Sequence, residues 1–130
     1  MTAEERNIEI AKMGGWKKYK LERNFFFGKK RMTYYLFDEP PNFWSTRFYS
    51  SYFSYDSDWN WLMVAVKFIE SLKNEQGYKW RIDIYVESCS IYNVSNLSTT
   101  PLICINKLNK KEAVFQAVSD FAKLYNDKKL

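Results

Sequence analysis

Apolar residues at helical spacing predict two long helices in this chain of 130 residues. Asp58 offers a capping side chain and negative charge at the start of the first, whose apolar positions recur every three or four residues as far as Leu72. The second begins at Asn109, and Glu112 has the spacing of a capping box. Its apolar stripe consists of Val114, Ala117, Val118, Phe121, Leu124 and Tyr125.

A shorter helix is predicted at the N terminus. Thr2 and Glu5 have capping-box spacing, which satisfies free N–H groups at a helix start. Gly14-Gly15 stops this helix, because glycine accepts the left-handed conformation that is common at helix ends. A helix this short is stable only when it packs against the rest of the protein.

A β-hairpin is predicted directly after the short helix. Its strands are Trp16–Arg23 and Lys30–Phe37, the second of which is rich in residues that favour extended structure. The Asn24–Lys29 stretch between them contains a glycine and suits a hairpin connection.

Alternation of apolar and polar residues predicts a further strand at Tyr78–Glu87, with one buried and one wet face. Ser88–Val94 continues as another strand, with Cys89 and Ile91 inward, and Leu102–Asn106 is a third, shorter strand. The inward positions of the first of these strands are Tyr78, Trp80, Ile82, Ile84 and Val86.

These elements together predict an α+β fold. We expect an antiparallel sheet of four to six strands, packed with two long helices and a short N-terminal helix. The length suits a single domain over residues 1–130. Hydrophobic residues make up 46% of the chain, which is enough for a substantial core.

Aromatic residues make up 19% of the chain and crowd into the segment Asn42–Tyr55. They admit two interpretations. They can be core residues beneath the second helix, or they can form a contact surface rich in Tyr and Trp. We favour a mixture, with Trp44 and Phe48 inside and several tyrosines outside.

The positive charge is concentrated in one stretch. The whole chain carries +5, whereas the stretch from Lys17 to Arg31 alone carries +6, with Glu22 as its single acidic residue. The rest of the chain therefore carries about −1. Any field that steers a partner towards the protein should come from this stretch.

The chain lacks residues that most catalytic mechanisms require. The chain has no histidine, which removes the commonest general base and the usual activation of Ser or Cys nucleophiles. Asp56 and Asp58 can be considered as a metal or acid–base pair, but helix capping accounts for the same pattern. We therefore expect a protein that is not an enzyme, with no cofactor and no metal.

The chain begins without a visible secretory signal, and its longest clear apolar run, Trp61–Val66, is too short to span a bilayer. We expect a cytoplasmic protein. In that setting Cys89 and Cys104 are predicted to be reduced and buried rather than bridged.

The predicted hairpin mixes cations with aromatic rings, as nucleic-acid binders do when they contact phosphates and unpaired bases. The alternative is a hairpin with a solvated cationic tip and a Phe cluster folded into the core. On the first interpretation the partner is nucleic acid, or a protein that is acidic or carries RNA. The candidate contact residues are Lys17, Lys18, Lys20, Arg23, Lys29, Lys30, Arg31, Tyr34, Tyr35, Trp44, Arg47, Tyr49 and Tyr52.

Four stretches resemble a known family. They are Ile8–Trp16 with its Met-Gly-Gly-Trp ending, Tyr55–Met63 with its Trp-x-Trp-Leu-Met run, Cys89–Tyr92 and Lys111–Asn126. Together they are similar to the small phage ABA sandwich proteins of phages and prophages in Bacteroidetes-type bacteria. The family has no catalytic motif to transfer. This chain departs from it at about 25–54, which is longer and more aromatic, and we interpret that segment as a functional insertion.

The resemblance implies a small phage protein that binds host machinery in the host bacterial cytoplasm. We expect an inhibitor of a bacterial defence system, similar to an anti-CRISPR protein, that blocks a nuclease or a ribonucleoprotein and contacts the protein or its guide RNA. The alternatives are a stand-alone single-stranded nucleic-acid binder, a structural or packaging component of a phage particle, and a metal-dependent hydrolase that uses Asp56 and Asp58.

Overall fold

A computed structural model describes residues 1–25, 28–37, 53–94, 100–107 and 109–130, with the backbone alone for 18–25 and 29–37. The fold of this part is α+β, as predicted. Its elements in chain order are α1 (Ala3–Met13), β1 (Trp16–Phe25), β2 (Gly28–Phe37), α2 (Trp59–Ser71), β3 (Trp80–Ile84), β4 (Ser88–Asn93), β5 (Ile103–Asn106) and α3 (Lys110–Asn126).

The predicted N-terminal helix is confirmed as α1, and its capping box is complete. The N–H of Glu5 donates to Thr2 Oγ1 at 3.2 Å, and the N–H of Thr2 donates to Glu5 Oε2 at 3.0 Å. The N–H of Gly14 closes the last turn on the carbonyl of Ile10. Gly15 follows at φ 101°, a conformation that glycine adopts without strain, and it turns the chain into β1.

The predicted hairpin is confirmed, with longer strands than expected. The ladder runs in antiparallel register from Trp16 opposite Phe37 to Phe25 opposite Gly28. The predicted connection at 24–29 was therefore too long, since four of its residues pair in the ladder. Gly28 has φ 131°, where a side chain would be strained, and this explains the glycine at the start of β2.

The single sheet of four to six strands was a wrong prediction. The described strands form two sheets, the pair β1–β2 and an antiparallel sheet in which β4 lies between β3 and β5. Alternation along a strand indicates which face is buried, but it does not indicate which strands pair with each other. For that reason the patterns identified the strands and not their grouping.

The buried face of the three-stranded sheet is largely as predicted. Trp80, Cys89 and Ile91 are buried on it. Tyr78 and Val86, which were also expected inward, are 49% and 76% exposed. The reason is that β3 ends sooner than its alternation does, so these two residues lie beyond its ends.

Both long helices begin where their caps predict. Asp58 accepts a hydrogen bond from the N–H of Asn60 at 2.8 Å. Asn109 accepts from the N–H groups of Lys111 and Glu112 at 2.9 and 3.4 Å. Neither of these helices nor α1 is long and apolar enough to cross a membrane.

The core lies between the helices and the three-stranded sheet. α2 packs on β3, α3 packs on β4 and β5, and α1 packs on α3. Phe121 of α3 is fully buried and meets the Trp80 ring edge-on, with the ring centres 5.1 Å apart. The predicted stripe of α3 is buried as far as Phe121, whereas Leu124 is half-buried and Tyr125 is exposed.

Polar contacts fix α1 to α3 as well. Arg6 Nη1 donates to Ser119 Oγ and to Asp120 Oδ1, both at 2.7 Å. Asn126 Nδ2 donates to Glu9 Oε2 at 2.8 Å. Because α1 leads directly into β1, these contacts hold the helix from which the hairpin starts.

The two cysteines are both free thiols, but only one is buried. Cys89 lies inward, as predicted. Cys104 is exposed, so the prediction that it is buried was wrong. Cys104 pairs with Ser90, one position along from Cys89, and neighbouring positions of a strand lie on opposite faces of the sheet.

Candidate binding surface

The hairpin ladder brings most of the predicted contact residues into one element. Lys17, Lys18, Lys20 and Arg23 lie in β1, and Lys29, Lys30, Arg31, Tyr34 and Tyr35 lie in β2. The other four predicted contact residues, Trp44, Arg47, Tyr49 and Tyr52, lie outside the described residues, as does Phe48.

The register divides these positions between two faces, because alternate positions of a paired strand share a face. We name each face after its first lysine. The Lys17 face holds positions Lys17, Tyr19, Leu21, Arg23, Phe25, Gly28, Lys30, Met32, Tyr34 and Leu36. The Lys18 face holds positions Lys18, Lys20, Glu22, Asn24, Lys29, Arg31, Thr33 and Tyr35, with Trp16 and Phe37 at its base. Each face carries a net charge of +3, since Glu22 offsets one of the four cations on the Lys18 face.

The base of the hairpin is anchored by an aromatic cluster of Trp16, Phe53, Tyr55 and Trp61. The rings of Trp16 and Phe53 meet edge-on with centres 5.5 Å apart. Trp61 of α2 meets the Tyr55 ring edge-on at 5.2 Å. Lys17, the next residue after Trp16, is exposed. At the base of the hairpin, the Lys18 face therefore meets the body at Trp16, and the Lys17 face is exposed at Lys17.

The described end of the aromatic segment belongs to the core. Phe53 is 3% exposed and Tyr55 is 7% exposed, so the core interpretation is confirmed for these two residues. Burial raises the pKa of Tyr55 to about 12, and a hydrogen bond with Trp16 opposes part of that shift. The rings of Phe53 and Tyr55, at the end of the segment, thus join the hairpin to α2.

Asp56 and Asp58 both have structural partners. Asn7, which is buried in α1, donates from Nδ2 to Asp56 Oδ1 at 3.0 Å, and its Oδ1 accepts from the N–H of Asp56 at 3.2 Å. Asp58 is the cap of α2. The capping interpretation is therefore confirmed for Asp58, whereas Asp56 contacts α1 and does not cap a helix. Within the described ranges, no group of three His, Cys, Asp or Glu residues is placed to hold a metal ion.

The face of the three-stranded sheet opposite the helices carries a second polar surface that sequence reasoning missed. Arg81 lies 4.8 Å from the centre of the Tyr92 ring and 3.2 Å from an Asp83 oxygen. This ion pair neutralises the charge of the surface, which gives it little electrostatic attraction for a partner. Only the pairing of β3 with β4 brings Arg81 and Tyr92 together, so no local signal could have indicated it.

A shallow pocket lies between the end of α2, the start of β3 and the end of α3. Its volume is about 180 Å³. Sites for cofactors and drug-sized ligands have roughly 300–1,000 Å³, so this pocket is too small for them. It is lined by Leu72, Lys73, Asn74, Glu75, Trp80, Tyr125, Lys128 and Leu130.

Comparison with family models, with curated proteins and with solved structures finds no match to this chain. The resemblance to the phage ABA sandwich family therefore stays a prediction that rests on the four stretches of sequence. Of the surfaces described above, the hairpin has the largest net charge in the sequence, and it is the candidate for a binding site.

Proposed function

We propose that this protein acts by binding a macromolecular partner through the β1–β2 hairpin. One observation carries the proposal. The β1–β2 ladder from Trp16 to Phe37 carries seven cationic residues and one acidic residue, Glu22. The rest of the chain has a net charge close to zero. Such a concentration of charge attracts an anionic partner and speeds its association.

The shape of the ribbon supports the same function. Ten residues in each strand give a ribbon roughly 34 Å long, at about 3.4 Å per residue. The Trp16–Phe53 contact and the packing of β1 on α1 hold its base. A charged ribbon with a fixed base can enter a channel or groove that a rounded surface cannot reach.

The biological role in this proposal is that of a phage-encoded inhibitor. The ribbon would block a bacterial defence nuclease or a ribonucleoprotein in the host cytoplasm, by contact with the protein or with its guide RNA. The resemblance to small phage proteins supports this role, and binding of this kind requires neither a catalytic residue nor a cofactor.

Charge reversal tests the hairpin. We expect Lys29→Glu, Lys30→Glu and Arg31→Glu together to reduce partner capture from a bacterial lysate at least about tenfold. The matched control reverses three exposed lysines of the body, Lys67, Lys107 and Lys110, and should capture the partner like the unmodified protein. Thermal unfolding of both variants checks that the fold is retained.

Two results would contradict the proposal. One is full capture by the hairpin variant, and the other is an equal loss in both variants. RNase treatment of the lysate separates the two kinds of partner, because capture through RNA is lost and capture through protein survives.

A further inference from the structure

We infer that the Lys17 face of the hairpin binds single-stranded nucleic acid, with unpaired bases at the Tyr19–Tyr34 pair and phosphates at Lys17, Arg23 and Lys30. The inference rests on the proposed function, because it assigns a ligand class to the same hairpin. It follows from the register of the ladder and from the exposure of Lys17 at the base of the hairpin.

The register places an aromatic pair between cations on this face. Tyr19 lies opposite Tyr34, and Arg23 lies opposite Lys30 two pairs further out on the same face, beyond the pair of Leu21 and Met32. Successive pairs on one face are about 7 Å apart, since each residue advances a strand by about 3.4 Å. Lys17 lies one such step on the other side of the tyrosines. Single-strand binders combine these two parts, rings on which bases stack and cations that track the backbone.

Lys17 is the position at the base of this face whose side chain the structure describes, and it is exposed. Trp16 packs on Phe53 in the body, whereas Lys17 is exposed. Because adjacent strand positions lie on opposite faces, the face that begins at Lys17 begins at solvent.

The Lys18 face fits such a ligand less well. Arg31 lies directly opposite Glu22, which offsets its charge. Tyr35 lies opposite Lys18, so that cross-strand position holds one aromatic residue and not two. This face therefore lacks a paired stacking position between cations.

A nucleic-acid duplex or an acidic protein surface would use the cations of the Lys17 face but not its tyrosine pair. The bases of a duplex already stack on each other, so a tyrosine pair gains little from them. An acidic protein would engage the cations, yet it gives no reason for two tyrosines at one cross-strand position between them. An unpaired strand uses both parts, and for that reason we assign it.

The test measures fluorescence anisotropy of a labelled single-stranded oligonucleotide of about 12 nucleotides, at several salt concentrations between about 50 and 200 mM. We expect Arg23→Gln with Lys30→Gln to weaken binding at least about tenfold. Each phosphate contact contributes roughly 0.7 to the slope of log K against log salt, so losing two should lower the slope by about 1.4. The matched comparison, Lys20→Gln with Lys29→Gln, removes two charges from the Lys18 face and should lower the slope by clearly less.

A second pair of variants tests the stacking position. Tyr19→Leu with Tyr34→Leu should weaken binding about tenfold without changing the salt slope, because stacking involves no counterion release. Tyr19→Phe with Tyr34→Phe keeps both rings and should retain the affinity. Circular dichroism of each variant checks that the fold is retained.

Three results would overturn the inference: no binding of the single strand at low salt, equal losses in the two glutamine variants, or equal affinity for a duplex of the same length. The proposed function fails separately. If the unmodified protein ignores free oligonucleotides but loses partner capture from RNase-treated lysate on hairpin reversal, the partner surface is an acidic protein and only the inference is wrong.

Discussion

Cys89 and Cys104 show how one residue type acquires two environments in this sheet. Cys89 is fully buried on the face that meets the helices, and Cys104 is exposed on the other face. Burial, with smaller electrostatic contributions from Asp83 and Cys104, raises the pKa of the Cys89 thiol to about 12. Cys89 is therefore a protonated thiol in the folded state near neutral pH.

This raised pKa predicts a loss of stability in alkali. The thiol of an unfolded chain titrates near 9, so above that pH the unfolded state loses a proton that the folded state keeps up to about 12. The contribution is complete below pH 9 and falls as the pH rises towards 12, by up to about 1.4 kcal/mol per pH unit. Urea unfolding under reducing conditions measures the effect.

Two alanine variants separate the contribution of Cys89 to the alkaline loss of stability from that of Cys104. Cys89→Ala is expected to be less stable at neutral pH, because it leaves a small cavity, but to lose less stability above pH 9 than the unmodified protein. Cys104→Ala should keep most of the alkaline loss, because Cys104 makes the smallest contribution to the raised pKa of Cys89. An equally steep alkaline loss in Cys89→Ala would show that this thiol is not responsible.

Residue-scale prediction succeeded where the signal is local. The inward positions of Cys89 and Ile91 followed from alternation within one strand. The position of Cys104 did not, since four residues of edge strand give too short a pattern to assign a face. The contact of Asp56 with Asn7 joins residues 49 positions apart, and nothing near either residue indicates the other.

At the scale of elements, the C terminus of α3 has an unusual residue in a common motif. The N–H of Lys129 donates to the carbonyl of Leu124 at 2.9 Å, and that of Lys128 donates to Tyr125 at 3.1 Å. These two bonds define a Schellman ending, whose left-handed position is usually glycine. Here Lys128 occupies it, at φ 56°.

Glycine at this position should stabilise the protein. We expect Lys128→Gly to raise the free energy of unfolding by about 0.5–1 kcal/mol, because glycine adopts a positive φ without the steric cost of a side chain. Lys129→Gly, outside the left-handed region, should give no gain and serves as the control. Urea unfolding of both variants decides, and equal stabilities would contradict the expected strain at Lys128.

The starts of the helices were predictable, and the pairing of the strands was only partly so. Thr2, Asp58 and Asn109 cap the three helices as expected, because a cap bonds N–H groups within three residues of itself. The hairpin was predictable for the same reason, since its strands are adjacent in sequence. The separation of β1–β2 from the other sheet depends on long-range packing, which the local pattern does not contain.

At the scale of the whole molecule, a few aromatic contacts attach the hairpin to the body. Trp16 connects β1 to Phe53, which in turn meets Trp61 of α2 with ring centres 6.3 Å apart. Trp16 is half-buried, so Trp16→Ala should lower the free energy of unfolding by about 2 kcal/mol, less than for a fully buried Trp. Circular dichroism during urea unfolding measures this loss.

Trp59 provides the matched control for those contacts. It lies at the start of α2 and is 38% exposed, outside the aromatic cluster. Trp59→Ala should therefore change stability by less than about 1 kcal/mol. An equal loss in the two variants would indicate that Trp16 does not have a special role in holding the hairpin.

The composition of the candidate surface was predictable from the sequence, but its geometry was not. The count of cations between Lys17 and Arg31 is visible in the sequence, and so is the hairpin. Their division between two faces follows from the register of the ladder. A register shifted by one residue would place a strand's cations on the opposite face. That division distinguishes Arg23 and Lys30 from the cations of the Lys18 face.

The first and last residues of the hairpin lie side by side at its base. Trp16 lies opposite Phe37, so the two ends of the ribbon are neighbours, about 5 Å apart as cross-strand pairs are. Adding or deleting matched residue pairs further out would lengthen or shorten the ribbon by about 3.4 Å per pair without moving these ends. Evolution can therefore fit the ribbon to partners of different depth while the helices keep their sequence.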